Sequence, residues 1–152
     1  CDLQLATVKR LAEIDSIVAI KDASGDLARG LELIEHCGEQ LSIYSGEDAL
    51  SLPLILAGAD GTISVTANVA PQLMSQMCAE ALAGNESAAS AADKKLELLH
   101  QDLFLEANPV PVKWALQAMG KIGSAIRLPL VELDDQYHVK VREALSQAGI
   151  DA

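Results

Sequence analysis

The chain predicts an α/β fold of parallel strands flanked by helices, and three observations point to it. Short strand-like runs at residues 17–21, 41–45 and 62–66 are each followed by a helical pattern. A glycine stands just past each of those patterns, at Gly38, Gly58 and Gly84, where a left-handed residue would end a helix. The strand–helix unit recurs at about 20 to 25 residues, as expected where consecutive strands run parallel and helices cover them.

Residues 7–14 read as a helix ahead of the first strand. Residues 17–21 form an apolar run that closes on Lys21, and the turn formers Asp22-Ala23-Ser24-Gly25-Asp26 follow at once. Residues 27–37 are an amphipathic helix. The second unit pairs a strand at 41–45 with a helix at 47–57, and the third pairs 62–66 with 71–83. Ser45, Glu47 and Asp48 read as a helix cap and first-turn acids matched to the helix dipole. After Gly84 only helices follow. Residues 86–105 carry Leu96, Leu99 and Leu103 at helical spacing. Asn108-Pro109-Val110-Pro111 forces an extended break, because a residue preceding proline avoids the helical region. Residues 112–119 resume as a helix, Leu128-Pro129-Leu130 bends, and 134–148 form a terminal helix capped by Asp134 or Asp135. Two regions are therefore expected: strands and helices over 1–84, helices alone over 85–152.

Composition narrows the function classes. The 152 residues correspond to roughly one domain. Half are hydrophobic but only 3% aromatic, so Ala, Leu, Ile and Val must fill the core. The formal net charge of −11 argues against nucleic acid and anionic membrane as partners, since both reward clustered Lys and Arg. Cys1, Cys37 and Cys78 are too far apart for a zinc motif and read as reduced thiols, which suits a cytoplasmic protein. His36, His100 and His138 are equally scattered, none with a second ligand at helical spacing, so no metal is expected. There is no signal peptide, and no apolar run reaches the roughly 20 residues needed to span a bilayer.

Lys21 is the chemically informative residue. An amine at the carboxyl end of a buried strand, opening into a loop, occupies the position where parallel α/β proteins carry out chemistry. It can be a nucleophile. It can equally be a charge that snorkels out of a strand end.

The segment Ile20-Lys21-Asp22-Ala23-Ser24-Gly25-Asp26 resembles the Schiff-base lysine motif of pyruvate-dependent class I aldolases. Ser45-Gly46-Glu47-Asp48, residues 61–69 and residues 108–115 follow in register, and Arg127-Leu128-Pro129-Leu130 also fits. Together they resemble the dihydrodipicolinate synthase family over essentially the whole chain. The resemblance implies a (β/α)8 barrel with extra carboxyl-terminal helices, of which residues 1–84 would be strands six to eight. A closed barrel of this kind usually needs about 250 residues. The chain, starting at Cys1 without methionine, is thus expected to be a carboxyl-terminal portion of a larger, homotetrameric enzyme.

The implied reaction condenses pyruvate with aspartate semialdehyde in lysine biosynthesis. No cofactor is implied, because Lys21 itself would hold pyruvate as a covalent imine. That chemistry needs a neutral amine, and burial at the mouth of an apolar barrel is the expected means. Ile63 would offer a backbone group near the substrate carboxylate, and Gly46 would leave room for close approach. The family's catalytic tyrosine, relay threonine, carboxylate-binding arginine and lysine-inhibitor site match nothing here, and Tyr44 and Tyr137 do not take the tyrosine's place. The chain alone is therefore expected to be nearly inactive. Two other expectations compete: a related aldolase of the N-acetylneuraminate lyase or keto-deoxy-sugar type, and a non-catalytic chain that associates with a partner through its open sheet edge.

Overall fold

The structure, a computed structural model, describes residues 2–152; Cys1 lies outside the described residues. Three parallel strands, β1 (Ala19–Asp22), β2 (Ser42–Ser45) and β3 (Gly61–Thr62), form one sheet in the order β1-β2-β3. Among the described residues the seven α-helices are α1 (Leu5–Leu11), α2 (Leu27–Cys37), α3 (Asp48–Leu56), α4 (Pro71–Leu82), α5 (Glu86–Asp102), α6 (Val110–Ala118) and α7 (His138–Gln147). Two compact units are present. One comprises the residues up to Ser64 together with Cys78–Glu86, and the other comprises Val65–Met77 with Ser87–Ala152.

In the first unit the helices cover one face of the sheet. Val8, Leu33, Cys37, Leu41, Ile43, Leu54 and Ala59 make its buried core, with Ile17, Ile20 and Ile34 packed at the margin. Side chains alternate across a strand, so Ile20, Asp22, Ile43 and Ser45 face this helix layer while Ala19, Lys21 and Tyr44 face the other way. Helix α2 occupies the frame expected from its amphipathic pattern. The Asp26 carboxylate caps it, accepting from the Ala28 and Arg29 amides. Gly30 is buried against Leu54, and a Cβ there would lie 2.5 Å from Leu54 Cδ2.

In the second unit Leu96, Leu99 and Leu103 are buried, as their spacing predicts, and α7 buries Val141, Ala144 and Leu145. Asp134 caps the terminal helical segment by accepting from the Gln136 amide, across a 3-10 turn that precedes α7. Trp114 of α6 stacks on His138 with ring centroids 4.3 Å apart, and the Arg142 guanidinium lies 5.3 Å from the Trp114 ring.

Three local expectations are corrected. Residues 62–66 do not form one strand: pairing ends at Thr62, and Thr66–Asn68 is a 3-10 turn. The β-branched composition was misleading because the Thr66 hydroxyl bonds the distant His100 and the Asn68 side-chain amide bonds the nearby Val65 carbonyl, in place of a ladder. Gly38 ends α2 without entering the left-handed region, at φ −64°, whereas Gly58 and Gly84 do enter it. At Gly38 a Cβ would come within 2.6 Å of the Ile34 carbonyl oxygen, so space is the reason for glycine there. Finally, α6 starts at Val110 and includes Pro111 in its first turn, where proline's missing N–H costs nothing. The Asn108–Pro109 and Leu128–Pro129 bonds are both cis.

Candidate active site

Parallel pairing puts the ends of the three strands at one level. Lys21 is the register partner of Tyr44, Asp22 that of Ser45, and Ser45 that of Thr62. Beyond the ladder the alignment continues: the Gly46 amide donates to the Asp22 carbonyl at 2.6 Å, and the Ile63 amide donates to the Ser45 carbonyl at 2.8 Å. Lys21, Gly46 and Ile63, singled out from sequence, are thereby gathered at the carboxyl edge of the sheet.

The lysine lies across the glycine. A Cβ built on Gly46 would stand 2.5 Å from Lys21 Cε, 3.0 Å from Lys21 Cγ and 2.7 Å from Ala23 Cβ. No positive φ is required at Gly46; what the residue provides is the gap through which the lysine stem passes. The amine is therefore carried from β1 over the end of β2.

Lys21 is exposed, which corrects the expectation of burial. The cause is its place in the sheet: β1 is an edge strand, and the face bearing Ala19 and Lys21 is exposed in this chain. An open cleft of about 800 Å³ follows that edge, with Lys21, Asp22, Ser24 and Arg29 among its lining residues.

The loop after Lys21 is tightly organised. Arg29 Nε donates to Asp22 Oδ1 at 3.3 Å, and Ser24 Oγ donates to Asp22 Oδ2 at 2.9 Å. Asp22 thus has a structural partner set and projects away from the lysine. Behind β2 and β3 a chain of hydroxyls closes the helix face: Ser51 Oγ bonds Thr62 Oγ1 at 2.8 Å, and Thr62 Oγ1 donates to the Ser45 carbonyl at 3.1 Å. Asp48 is buried in the first turn of α3, as expected, but the expected cap is corrected: Glu47 stands at the N-cap without a side-chain cap bond, and Ser45 Oγ accepts from the Glu47 amide one step ahead of the helix. Cys78 is half-buried, and burial, reinforced by the Asp48 carboxylate, raises its thiol pKa above the ordinary value.

Sequence reasoning missed two features. One is the Arg29–Asp22 pair, whose seven-residue separation links a strand end to a helix and matches no single-element spacing. The other is a buried chain in the second unit, in which His100 Nε2 meets Asp93 Oδ1 at 3.3 Å and Nδ1 meets Thr66 Oγ1 at 2.9 Å. Each ring nitrogen thus has a polar partner, a carboxylate on one side and a hydroxyl on the other. Asp93 stands two helical turns before His100, a signal that was available in the sequence. Among the described residues no cluster of three or more His, Cys, Asp or Glu could hold a metal, and no helix is long and apolar enough to cross a membrane.

The model of the dihydrodipicolinate synthetase family matches residues 1–148. The chain belongs to this family. It is 57% identical over 150 residues to the 4-hydroxy-tetrahydrodipicolinate synthase of Nitrosospira multiformis, covering 99% of this chain and 50% of that protein. It is 52% identical to the Marinobacter nauticus synthase over 150 residues, 99% of this chain and 51% of the relative. Among solved structures, the Acinetobacter baumannii dihydrodipicolinate synthase complexed with pyruvate superposes at a TM-score of 0.95 with 52% identity, covering 98% of this chain and 51% of that one. The Aquifex aeolicus synthase superposes at 0.92 with 35% identity over the same shares. This dihydrodipicolinate synthase-family chain thus spans about half the length of the relatives it matches.

Proposed function

We propose that the chain is the lysine-bearing, carboxyl-terminal portion of a 4-hydroxy-tetrahydrodipicolinate synthase, a cytoplasmic homo-oligomeric enzyme whose remaining barrel strands come from the part its relatives have and this chain lacks. Residues 1–84 supply strands six to eight of the barrel, and residues 85–152 supply the carboxyl-terminal helices. The observation that carries the reading is the path of Lys21 over Gly46 beside Ile63, at the carboxyl ends of parallel strands.

In this reading the neutral Lys21 Nζ attacks the ketone carbon of pyruvate, and loss of water leaves an imine. The imine withdraws electrons more strongly than the ketone, so a methyl proton leaves and an enamine forms. The enamine carbon adds to the aldehyde of aspartate semialdehyde. The amine of that substrate then attacks the imine carbon, closes the ring and releases Lys21. Ile63 contributes its carbonyl, because its N–H is committed to Ser45. A carbonyl accepts hydrogen bonds, so it suits the protonated imine nitrogen better than the substrate carboxylate. Gly46 keeps the lysine's path clear. The proton relay and carboxylate clamp lie outside this chain, and the 152-residue chain alone is nearly inactive.

A full-length chimera tests this, with the chain replacing the matching segment of the Nitrosospira multiformis protein. Incubation with pyruvate and borohydride should leave one reduced pyruvate adduct on Lys21, visible by intact mass and peptide mapping, and none in Lys21→Arg. A soluble, folded chimera that traps no pyruvate, or traps it elsewhere, refutes the reading.

A further inference from the structure

Lys21 and Asp22 are consecutive on β1 and project to opposite faces, so whatever fixes Asp22 also fixes the backbone from which Lys21 departs. Arg29 does so. Its Nε holds Asp22 Oδ1 at 3.3 Å, another guanidinium nitrogen lies 3.4 Å from Asp2 Oδ1, and the same group donates to the Leu3 carbonyl. The Asp22 and Arg29 side chains are only 12% and 16% exposed, so the pair is shielded from most screening. The far end of the loop is tied to the same helical turn, through the Asp26 cap on the Ala28 and Arg29 amides. Asp22 also presents its carbonyl to the Gly46 amide. One residue thus joins the guanidinium on α2 to the end of β2, over which the lysine runs.

We propose that Arg29 is a positioning residue for Lys21, acting through Asp22 and touching no substrate. The inference rests on the aldolase reading for the chemistry it tunes. Without the guanidinium, the Asp22 carboxylate is left largely buried beside the Ser24 hydroxyl alone, and the strand end relaxes toward water. The lysine then loses its fixed line of approach. A misplacement of about 1 Å is enough to slow a reaction by an order of magnitude or more.

In the chimera, Arg29→Met and Asp22→Asn should each slow imine trapping at saturating pyruvate roughly tenfold, with the half-saturating pyruvate concentration changed by less than about twofold. The double substitution should be no slower than either single one, because both remove one contact. Arg29→Lys, which keeps the charge without the planar fork, should recover part of the rate. Variants that trap at the unsubstituted rate, or lose rate only in proportion to the folded fraction, overturn the proposal. Hydrogen exchange at the Gly46 amide gives a readout independent of chemistry. It should quicken roughly tenfold in Arg29→Met, and an unchanged rate overturns the proposal. If the unsubstituted chimera traps no pyruvate, the aldolase reading falls, and the exchange measurement still decides the role of Arg29.

Discussion

The sheet has one saturated face and one open face. Toward the helices, Ile43 and Ser45 are each 1% exposed, and the Thr62 hydroxyl, itself bonded by Ser51, joins the Ile63 amide in donating to the Ser45 carbonyl. Toward the other side, Ala19 and Lys21 are exposed and Tyr44 is half-buried. The difference separates two kinds of residue. Apart from the Arg29–Asp22 pair, substitutions on the helix face should be felt as stability, through lost burial and packing. Substitutions on the open face should be felt as chemistry, because little packing depends on them.

The largest effect should break this division from the stability side. Leu33 is fully buried in α2 among Val8, Leu41 and Leu54, and Leu33→Ala should cost about 2–5 kcal/mol, read from denaturant unfolding of the chimera. Imine trapping per folded molecule should be unchanged; a matching loss of trapping would show that the faces are coupled through the apolar core and not through Asp22 alone. A smaller effect is expected for Gly46→Ala. The far end of the lysine can bend away from the new methyl group, but Ala23 Cβ, at 2.7 Å, moves only with its backbone. Trapping should slow roughly tenfold, measured by single-turnover kinetics, while the unfolding midpoint shifts little by comparison. Trapping at the full rate would mean that the lysine has another path.

The smallest effect concerns pH. The Cys78 thiol titrates above the ordinary cysteine range because it is partly desolvated and faces Asp48. The folded state therefore keeps this proton after the unfolded chain has lost it. Its contribution to stability is present below the unfolded thiol pKa and is lost as pH rises through the folded value. Iodoacetamide labelling of Cys78 should accordingly reach half its limiting rate at a higher pH than a free cysteine does. Labelling that follows the free thiol would show the side chain to be better solvated than its half-buried position implies.

Much of this was legible in the residues, and the reasons are local. Helix α2 was read in its frame because its apolar period and the turn formers just ahead of it agree. Lys21 was found because a cation closing a β-branched run is conspicuous. The segment after Thr62 was misread because Ile63, Val65 and Thr66 have strand composition, while the partner that diverts Thr66 lies 34 residues away at His100. Gly46 could be recognised by motif, but its physical purpose became visible only once the Lys21 stem was seen to cross it. The Arg29–Asp22 pair was hidden for a similar reason: its meaning depends on α2 folding back beside β1.

The commitment of the Ile63 amide to Ser45 has a consequence for selectivity. The Ile63 backbone has its carbonyl left to offer a ligand, and carbonyl lone pairs attract positive charge and repel negative charge. In the proposed aldolase reading, a keto acid tethered to Lys21 would be oriented electrostatically, its iminium turned toward the Ile63 carbonyl and its carboxylate turned away. Any anion-binding donor would have to approach from the opposite side of the adduct.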